Sequence, residues 1–215
     1  MDQLTRRSFL ARTGAGALAA GAAGAALVTP RPAGAAAKVG EPAPAFTAAS
    51  TSGGSVSLAD QRGKIVVLEW TNHDCPYVRK HYESRNMQGL QKEATGQGIV
   101  WLSVISSAPG TQGHVSPGQA NDLTTKRGAG PTAVLLDPTG AVGKMYGATN
   151  TPHMYVIDKA GMLMYAGAID DRPTSRQSDV PGANNYVRAA LQAVSAGQPV
   201  KTPATRAYGC TVKYA

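Results

Sequence analysis

Apolar residues occur along the chain either in short unbroken runs or at helical spacing. Three unbroken runs rich in β-branched residues occupy 65–70, 99–105 and 132–137. Unbroken runs of this length are typical of strands that are covered on both faces, as in a mostly parallel sheet. The pattern therefore predicts three buried strands, and the first is expected to lie at the centre.

Helical patterns lie between and after these strands. The first begins at Pro76, a residue favoured in the first turn of a helix, and its apolar positions continue at helical spacing to about Gln91. Weaker patterns cover 119–126 and 143–146, and a clear apolar face covers 184–196. The chain is therefore expected to alternate between strand and helix.

The pattern changes after the pair Thr151-Pro152. Two strand-like runs at 153–158 and 162–167 flank Lys159-Ala160-Gly161, a combination typical of an antiparallel hairpin. Residues 38–54 are rich in Pro, Ala, Ser, Thr and Gly, and they predict extended chain with a short hairpin. The whole order predicts an α/β fold of three layers with a mixed central sheet.

The first 37 residues have the character of a targeting segment. Adjacent Arg6 and Arg7 precede a weakly apolar stretch of Ala and Gly at 13–28, and the small residues after it suit a signal peptidase. The segment resembles a twin-arginine signal, which implies export by the twin-arginine translocase to a periplasmic or secreted location. Because the stretch is too weakly hydrophobic to stay in a bilayer, we expect a cleaved leader, no stable membrane anchor and a mature domain of 38–215.

Composition and charge narrow the range of functions. Hydrophobic residues make up 42% and charged residues 16% of the 215 residues, which excludes a disordered tail and a coiled coil. The formal net charge is +8, of which the first 37 residues contribute +3 through four arginines and one aspartate, leaving +5 on the rest. That remainder is not clustered, so nucleic acid is not expected as a partner.

The two cysteines, Cys75 and Cys210, are candidates for individual chemical roles. They are too few and too widely spaced for a disulfide scaffold or a zinc finger. No cofactor is expected.

Cys75 directly precedes the helix that Pro76 begins. A cysteine at a helix N-terminus faces unpaired N–H groups and the positive end of the helix dipole, and both favour the thiolate, which is the reactive form. Arg79 is a candidate to stabilise the thiolate further, and Lys80 and His73 add positive charge nearby. The sequence therefore predicts a nucleophile, with a buried structural cysteine as the alternative.

A cysteine in the first turn of the first core helix, followed by Thr151-Pro152 before a hairpin, resembles the thioredoxin-like superfamily. Within it, the chain is similar to exported redoxin-domain proteins of the peroxiredoxin-like branch, which includes alkyl hydroperoxide reductase and thiol-specific antioxidant proteins. The resemblance covers 38–215, and it implies a cis proline that lies against Cys75. The expected substrate pocket comprises Trp70, Pro76, Thr151, Pro152 and His153.

Two features depart from the motifs of these families. Thioredoxins use Cys-x-x-Cys, but here Val78 stands where the second cysteine would be, so no local disulfide forms. Peroxiredoxins have Pro-x-x-x-Thr/Ser-x-x-Cys, in which the hydroxyl group helps to hold the peroxide. Here Leu68 occupies the position of the proline and Asn72 that of the hydroxyl residue, and Thr71 is displaced by one residue. A peroxide and a disulfide both remain open as the substrate.

Cys210, near the end of the chain, offers a second thiol. A flexible or strand-like tail could carry it to Cys75 in the same or a neighbouring subunit, or Cys210 could pack as a small apolar residue. We therefore interpret the protein as a thiol-dependent oxidoreductase in which Cys75, Arg79 and Cys210 act on a peroxide or disulfide and an outside thiol serves as reductant.

The rival interpretation is a binding protein without catalytic activity. Copper chaperones of this fold bind metal with two cysteines and a histidine, so Cys75 and His153, with Cys210, form an alternative Cu(I) site. Apart from that alternative, no metal site is expected. Two further histidines, His81 and His114, are expected on a helix surface and in a loop.

Overall fold

The computed structural model describes residues 36–215. The predicted signal segment therefore lies almost entirely outside the described residues, and its role stays a prediction. Within the described part, no helix is both long enough and apolar enough to cross a bilayer.

The elements of the described chain follow the predicted order closely. The strands are β1 (Thr47–Ser50), β2 (Ser55–Ser57), β3 (Val66–Trp70), β4 (Val100–Ile105), β5 (Ala133–Leu136), β6 (Asn150–Thr151), β7 (His153–Ile157), β8 (Leu163–Gly167) and β9 (Cys210–Thr211). The α-helices are α1 (Pro76–Glu83), α2 (Asn86–Gly96), α3 (Pro117–Arg127), α4 (Ala141–Tyr146) and α5 (Tyr186–Ser195).

Seven strands form one mixed sheet in the order β2-β1-β5-β4-β3-β7-β8. The inner strands β3, β4 and β5 run parallel, whereas β7 pairs antiparallel with β3 and β8, and the β1–β2 hairpin adds to β5. All five residues of β3 are buried, as the unbroken apolar run predicts. The predicted α/β class and the mixed sheet are thus confirmed, and β3 is an inner strand, next to the middle strand β4.

Alternate residues of the central strands supply two separate cores, one on each face of the sheet. Trp70 and Tyr155 belong to the core that α4 covers. Val67 and Met154 belong to the opposite core, which α1, α2 and α5 cover. The face to which a residue of β3 or β7 points therefore decides whether its side chain can reach α1.

The single helix expected from Pro76 to about Gln91 is instead two helices. Arg85 separates them with a left-handed backbone conformation, φ 62°. The sequence contains a trace of this break, because the apolar positions Tyr82 and Met87 are five residues apart, a step that does not fit one helical face. Both helices nevertheless contribute side chains to the same core on one face of the sheet.

Candidate active site around Cys75 and Cys210

Cys75 lies at the carboxyl edge of β3, in the capping position that precedes α1. The turn that brings it there is fixed by Asn72, whose carbonyl accepts the Cys75 N–H at 3.1 Å and whose side-chain oxygen accepts the Asp74 N–H at 2.9 Å. Cys75 is fully buried, and its Sγ donates a hydrogen bond to the Thr151 carbonyl at 3.1 Å. The cysteine thus occupies the helix N-terminus that the sequence predicts.

The Thr151-Pro152 bond is cis, as the resemblance implies. It joins the short strand β6 to β7, and it leaves the Thr151 carbonyl directed at the Cys75 thiol. Thr151 and Pro152 are both buried at this point, whereas Pro76 is exposed at the start of α1. The adjacency expected for Thr151 is therefore observed, and the part these residues play in binding a substrate stays a prediction.

The tail of the chain, residues 208–214, brings Cys210 to the same place. Its strand β9 pairs antiparallel with β6, and Cys210 lies opposite Thr151 in the register. Gly209 makes this approach possible, because at φ +120° a Cβ there would stand 2.0 Å from the Thr151 carbonyl oxygen.

Cys210 packs against the buried cluster that contains Cys75, and both cysteines are free thiols. Burial, together with the neighbouring Cys75 thiol, raises the pKa of Cys210 to about 12. At neutral pH Cys210 is therefore held as a protonated thiol while the tail is in place. Of the two residues, Cys210 is the more exposed, since Cys75 is completely buried and Cys210 only partly so.

A buried polar cluster beneath the tail holds Tyr208 two residues before Cys210. The Tyr208 hydroxyl donates to Asp170 Oδ1 and also bonds to His81 Nε2 at 3.2 Å. Lys80 Nζ lies 3.5 Å from Asp170 Oδ2, 5.5 Å from the centroid of the Tyr208 ring, and donates to the Arg172 carbonyl at 2.7 Å. Three fully or almost fully buried side chains, Lys80, His81 and Asp170, thus converge on the tail.

Burial shapes the charges of this cluster. It lowers the pKa of His81 to about 4, so that the imidazole is neutral at physiological pH, and it raises the pKa of Tyr208 further above its already high ordinary value. Burial also lowers the pKa of Lys80, an effect opposed by the Asp170 carboxylate. The expectation that His81 lies on a helix surface is wrong, because its side chain is fully buried and its ring nitrogens bond to Tyr208 and Asn86. His114 is exposed in a loop, as expected.

The far end of the tail is fixed as well. Val212 is buried and its N–H donates to the Thr149 carbonyl at 3.0 Å, while the Lys213 carbonyl accepts the Ala108 N–H at 2.8 Å. Tyr214 donates its hydroxyl to the Ala148 carbonyl at 2.5 Å. Cys210 is therefore held from both sides, as a packed strand rather than a flexible end.

The structure moves two predicted pocket residues away from Cys75. His153 stacks on Tyr155 with 4.6 Å between ring centroids, and Trp70 packs on Tyr155 and donates to Ser106 Oγ at 3.0 Å. Both side chains point to the face of the sheet that α4 covers, because they alternate in β3 and β7 with the residues that face α1. The expectations that His153 touches Cys75 and that Trp70 lines its pocket are therefore wrong.

The same geometry bears on the alternative Cu(I) site. Cys75 and His153 face different cores, so they do not form a ligand pair, and burial lowers the pKa of His153 to about 4. Over residues 36–215 no group of three or more His, Cys, Asp or Glu side chains is arranged to hold a metal ion.

Arg79 does not reach the thiol. It is largely exposed, and its Nε pairs with Glu83 Oε1 at 2.9 Å, one turn further along α1. Its backbone N–H bonds to the Cys75 carbonyl, so only the main chain links the two residues. A role for Arg79 in stabilising a thiolate stays a prediction.

A buried carboxyl group, Glu69, lies on β3 and is not among the residues that the sequence predicts for the site. Four side chains donate to it, and burial nevertheless raises its pKa because the hydrogen bonds offset the loss of hydration only in part. The donors are Tyr82, Gln91, Trp101 and Ser103. The signal was present in the sequence, since Glu69 is an acidic residue inside an otherwise unbroken apolar run.

Comparison with known proteins adds a family and several related folds. A family model described as the AhpC/TSA family matches residues 39–166. A search of curated proteins finds no match.

Solved structures of similar fold cover most of the chain. An uncharacterized conserved protein of Geobacillus kaustophilus matches with a TM-score of 0.73 and 25% identity over 83% of this chain and 93% of its own. A hypothetical protein of Sinorhizobium meliloti matches with a TM-score of 0.72 and 23% identity over 84% and 97%. A protein of Chlorobium tepidum described as a thiol:disulfide interchange protein, DsbE, matches with a TM-score of 0.50 and 24% identity over 61% and 85%.

Proposed function

The chain belongs to the AhpC/TSA family, a membership that assigns it thiol-based redox chemistry in general terms, and from this premise we propose that Cys75 and Cys210 form its redox pair. The observation that supports the proposal is the pairing of β9 with β6, which places Cys210 opposite Thr151, the residue whose carbonyl accepts the hydrogen bond of the Cys75 thiol. Cys75 lies at the N-terminus of α1, and Cys210 is the resolving thiol, because Val78 stands where a Cys-x-x-Cys motif would have its second cysteine.

The order of reaction follows from the surroundings of the two sulfurs. Because the pKa of Cys210 is raised to about 12, Cys210 stays protonated at neutral pH and Cys75 reacts first. Cys75 is fully buried and the tail packs beside it, so we propose that its oxidation requires the tail to lift. Once the disulfide has formed, an outside thiol meets the more exposed sulfur, Cys210, and Cys75 leaves as the thiolate.

The oxidant we favour is a disulfide. At the position where peroxiredoxins have a hydroxyl residue, Asn72 uses its oxygen for the Asp74 N–H and its nitrogen for the Gln112 carbonyl. Asn72 therefore has no hydroxyl group, and both polar atoms of its side chain are already engaged in hydrogen bonds. The Thr71 hydroxyl, the nearest in sequence, lines a separate chamber between α3 and the sheet.

The proposed cycle balances without a cofactor. The Cys75 thiolate attacks one sulfur of the substrate disulfide, and one substrate thiol leaves. Lifting of the tail relieves the burial that raises the pKa of Cys210, so that its thiol can give its proton to the departing substrate sulfur as it attacks the Cys75 sulfur of the mixed disulfide, and the second substrate thiol leaves. The substrate gains two electrons and two protons, and the protein retains a Cys75–Cys210 bond that an outside thiol reduces.

Intact mass of the purified protein tests the pair. After one equivalent of oxidised glutathione, the wild type is expected to lose two hydrogens, Cys75→Ser to show no rapid change, and Cys210→Ser to gain one glutathione on Cys75. A parallel arm with hydrogen peroxide identifies the oxidant: faster formation of the disulfide with peroxide than with glutathione disulfide would overturn the preference for a disulfide. Failure of the wild type to form the internal bond with either oxidant would refute the redox pair.

Export is the second part of the proposed function. It is supported by Arg6 and Arg7 and by the weakly apolar stretch that follows them. The full chain is expected in the periplasmic fraction, and the double variant Arg6→Lys, Arg7→Lys is expected to remain in the cytoplasm. Equal distribution of both proteins would contradict a twin-arginine route.

A further inference from the structure

A second site lies on α1, separate from the two cysteines. A surface basin of about 390 Å³ opens between α1, the start of α2 and the end of α3. An inner chamber of about 30 Å³ adjoins it, shares His73, Tyr82 and Arg127 with it, and extends to Thr71. The basin and the chamber together therefore reach from solvent to the edge of the sheet.

Polar atoms without partners line these two spaces. Four buried side-chain atoms in the described residues lack a hydrogen-bond partner, and three of them, Thr71 Oγ1, His73 Nδ1 and Gln88 Oε1, belong to the basin or the chamber. Thr71 is only 8% exposed. Because buried polar groups almost always have a partner, this concentration points to a polar occupant.

The rim of the basin carries positive charge that carboxylates do not neutralise. Arg85, Lys126 and Arg127 have no ion-pair partner within the described part of the chain, whereas Arg79 is paired with Glu83 and His73 with Asp74. The cations at the rim are therefore available to an anion.

Two of the three cations are held in place. Arg85 is the single non-glycine residue of the described chain with a positive φ, and its guanidinium donates to the Arg127 carbonyl at 3.1 Å. Arg127 lies over the ring of Tyr82, 4.6 Å from the centroid, and donates to the His73 carbonyl at 2.9 Å. Both guanidinium groups keep further N–H donors, in a geometry already ordered before any ligand arrives.

We propose that the basin binds a small anionic molecule, whose carboxylate or phosphate group lies between Arg85, Lys126 and Arg127. A polar part of the molecule enters the chamber and supplies hydrogen bonds to Thr71 and His73. The volume suits a metabolite-sized ligand, and Arg pairs well with either kind of anionic group. The proposal does not depend on the redox pair, because neither cysteine lines the basin or the chamber.

Calorimetric titration of the full protein at low ionic strength tests the site, with inorganic phosphate and succinate as the two probes. We expect saturable binding of one equivalent of at least one probe, and the stronger of the two identifies the anionic group. Lys126→Ala is expected to weaken that binding about tenfold. Lys159→Ala removes the same charge from the exposed β7–β8 turn and is expected to leave binding unchanged.

The chamber is tested by Thr71→Val, which removes the hydroxyl and keeps the shape, with Thr71→Ser as the control that keeps the hydroxyl. Succinate binding is expected to weaken severalfold in Thr71→Val and to persist in Thr71→Ser, while the thermal midpoint of free Thr71→Val rises because an unpartnered buried hydroxyl is gone. The site is overturned if neither probe gives saturable heat, or if Lys126→Ala and Lys159→Ala lower the binding affinity equally. Unchanged binding in Thr71→Val overturns the role of the chamber.

Discussion

Tyr208→Phe removes the hydroxyl that ties the tail to the buried cluster and leaves the ring in place. The variant loses the hydrogen bond to Asp170 Oδ1 and the one to His81 Nε2. Asp170 Oδ1 keeps the Arg172 N–H at 3.0 Å, whereas Oδ2 already lacks a hydrogen bond. The lost donor is therefore not replaced by another protein group.

The size of the effect follows from the charge of the acceptor. A hydrogen bond to a charged group contributes about 1.5–3 kcal/mol to stability, and a value of about 2 kcal/mol corresponds to roughly a 30-fold change in an equilibrium constant. Because the bond exists only while the tail is docked, the population with a lifted tail is expected to rise by up to that factor. Cys75 is fully buried, and we expect it to become accessible when the tail lifts.

Alkylation of Cys75 measures that population. In a Cys210→Ser background Cys75 is the only thiol, and its rate of alkylation follows the open fraction when the tail recloses faster than it reacts. We expect Tyr208→Phe to raise the rate by up to about 30-fold. Tyr186→Phe is the matched control, since no hydrogen bond of the Tyr186 hydroxyl occurs among the described residues. An unchanged rate in Tyr208→Phe, or an equal rise in Tyr186→Phe, would refute the role of the cluster in holding the tail.

Three further variants probe other parts of the site. Gly209→Ala places a Cβ against the Thr151 carbonyl at a positive φ. Calorimetry is therefore expected to show a decrease of about 1–3 kcal/mol in the unfolding free energy, and oxidation is expected to yield less internal disulfide. A variant of unchanged stability with normal oxidation would contradict the close approach. Burial raises the pKa of Glu69 above its ordinary 4.5, so the folded state prefers the protonated acid and the unfolding free energy falls as the pH rises above that value. Glu69→Gln is expected to remove this fall. A variant with the same pH profile as the wild type would contradict the assignment to Glu69. Burial lowers the pKa of His153 from 6.5 to about 4, so stability that is present above pH 6.5 is lost as the pH falls towards 4. His153→Gln is expected to reduce this acid loss of unfolding free energy by about 3 kcal/mol. An unchanged loss would assign it to other groups such as His81.

Local sequence patterns predict the main strands of the sheet but not the face of the sheet to which each side chain points. The three unbroken runs and the two runs of the hairpin predict five strands to within one residue at each end, because burial leaves a strong compositional signal. The same unbroken runs hide alternation, so the sequence could not show that Trp70 and His153 point away from α1. The face depends on the register of β7 against β3, a tertiary property.

The candidate site divides in the same way. Cys75 was predictable, since Pro76 marks the helix start and the strand precedes it. The approach of Cys210 to this site is not predictable from local patterns, because it depends on a two-residue strand and on Gly209, neither of which produces a periodic pattern. Burial of Lys80 and His81 was missed for a related reason: a charged residue reads as exposed until its distant partner, here Asp170, is known.

The pairing of β9 with β6 also determines what a covalent bond between the two sulfurs would enclose. Cys75 follows the third strand and Cys210 lies near the last residue of the tail, so the bond would form a ring containing α1 to α5 and all strands from β4 to β8. Closing a ring of that length restricts the unfolded chain and is worth about 5 kcal/mol in the entropic model of cross-links. The redox state would then set the resistance of the domain to unfolding and proteolysis: the oxidised protein would persist where the reduced one is degraded.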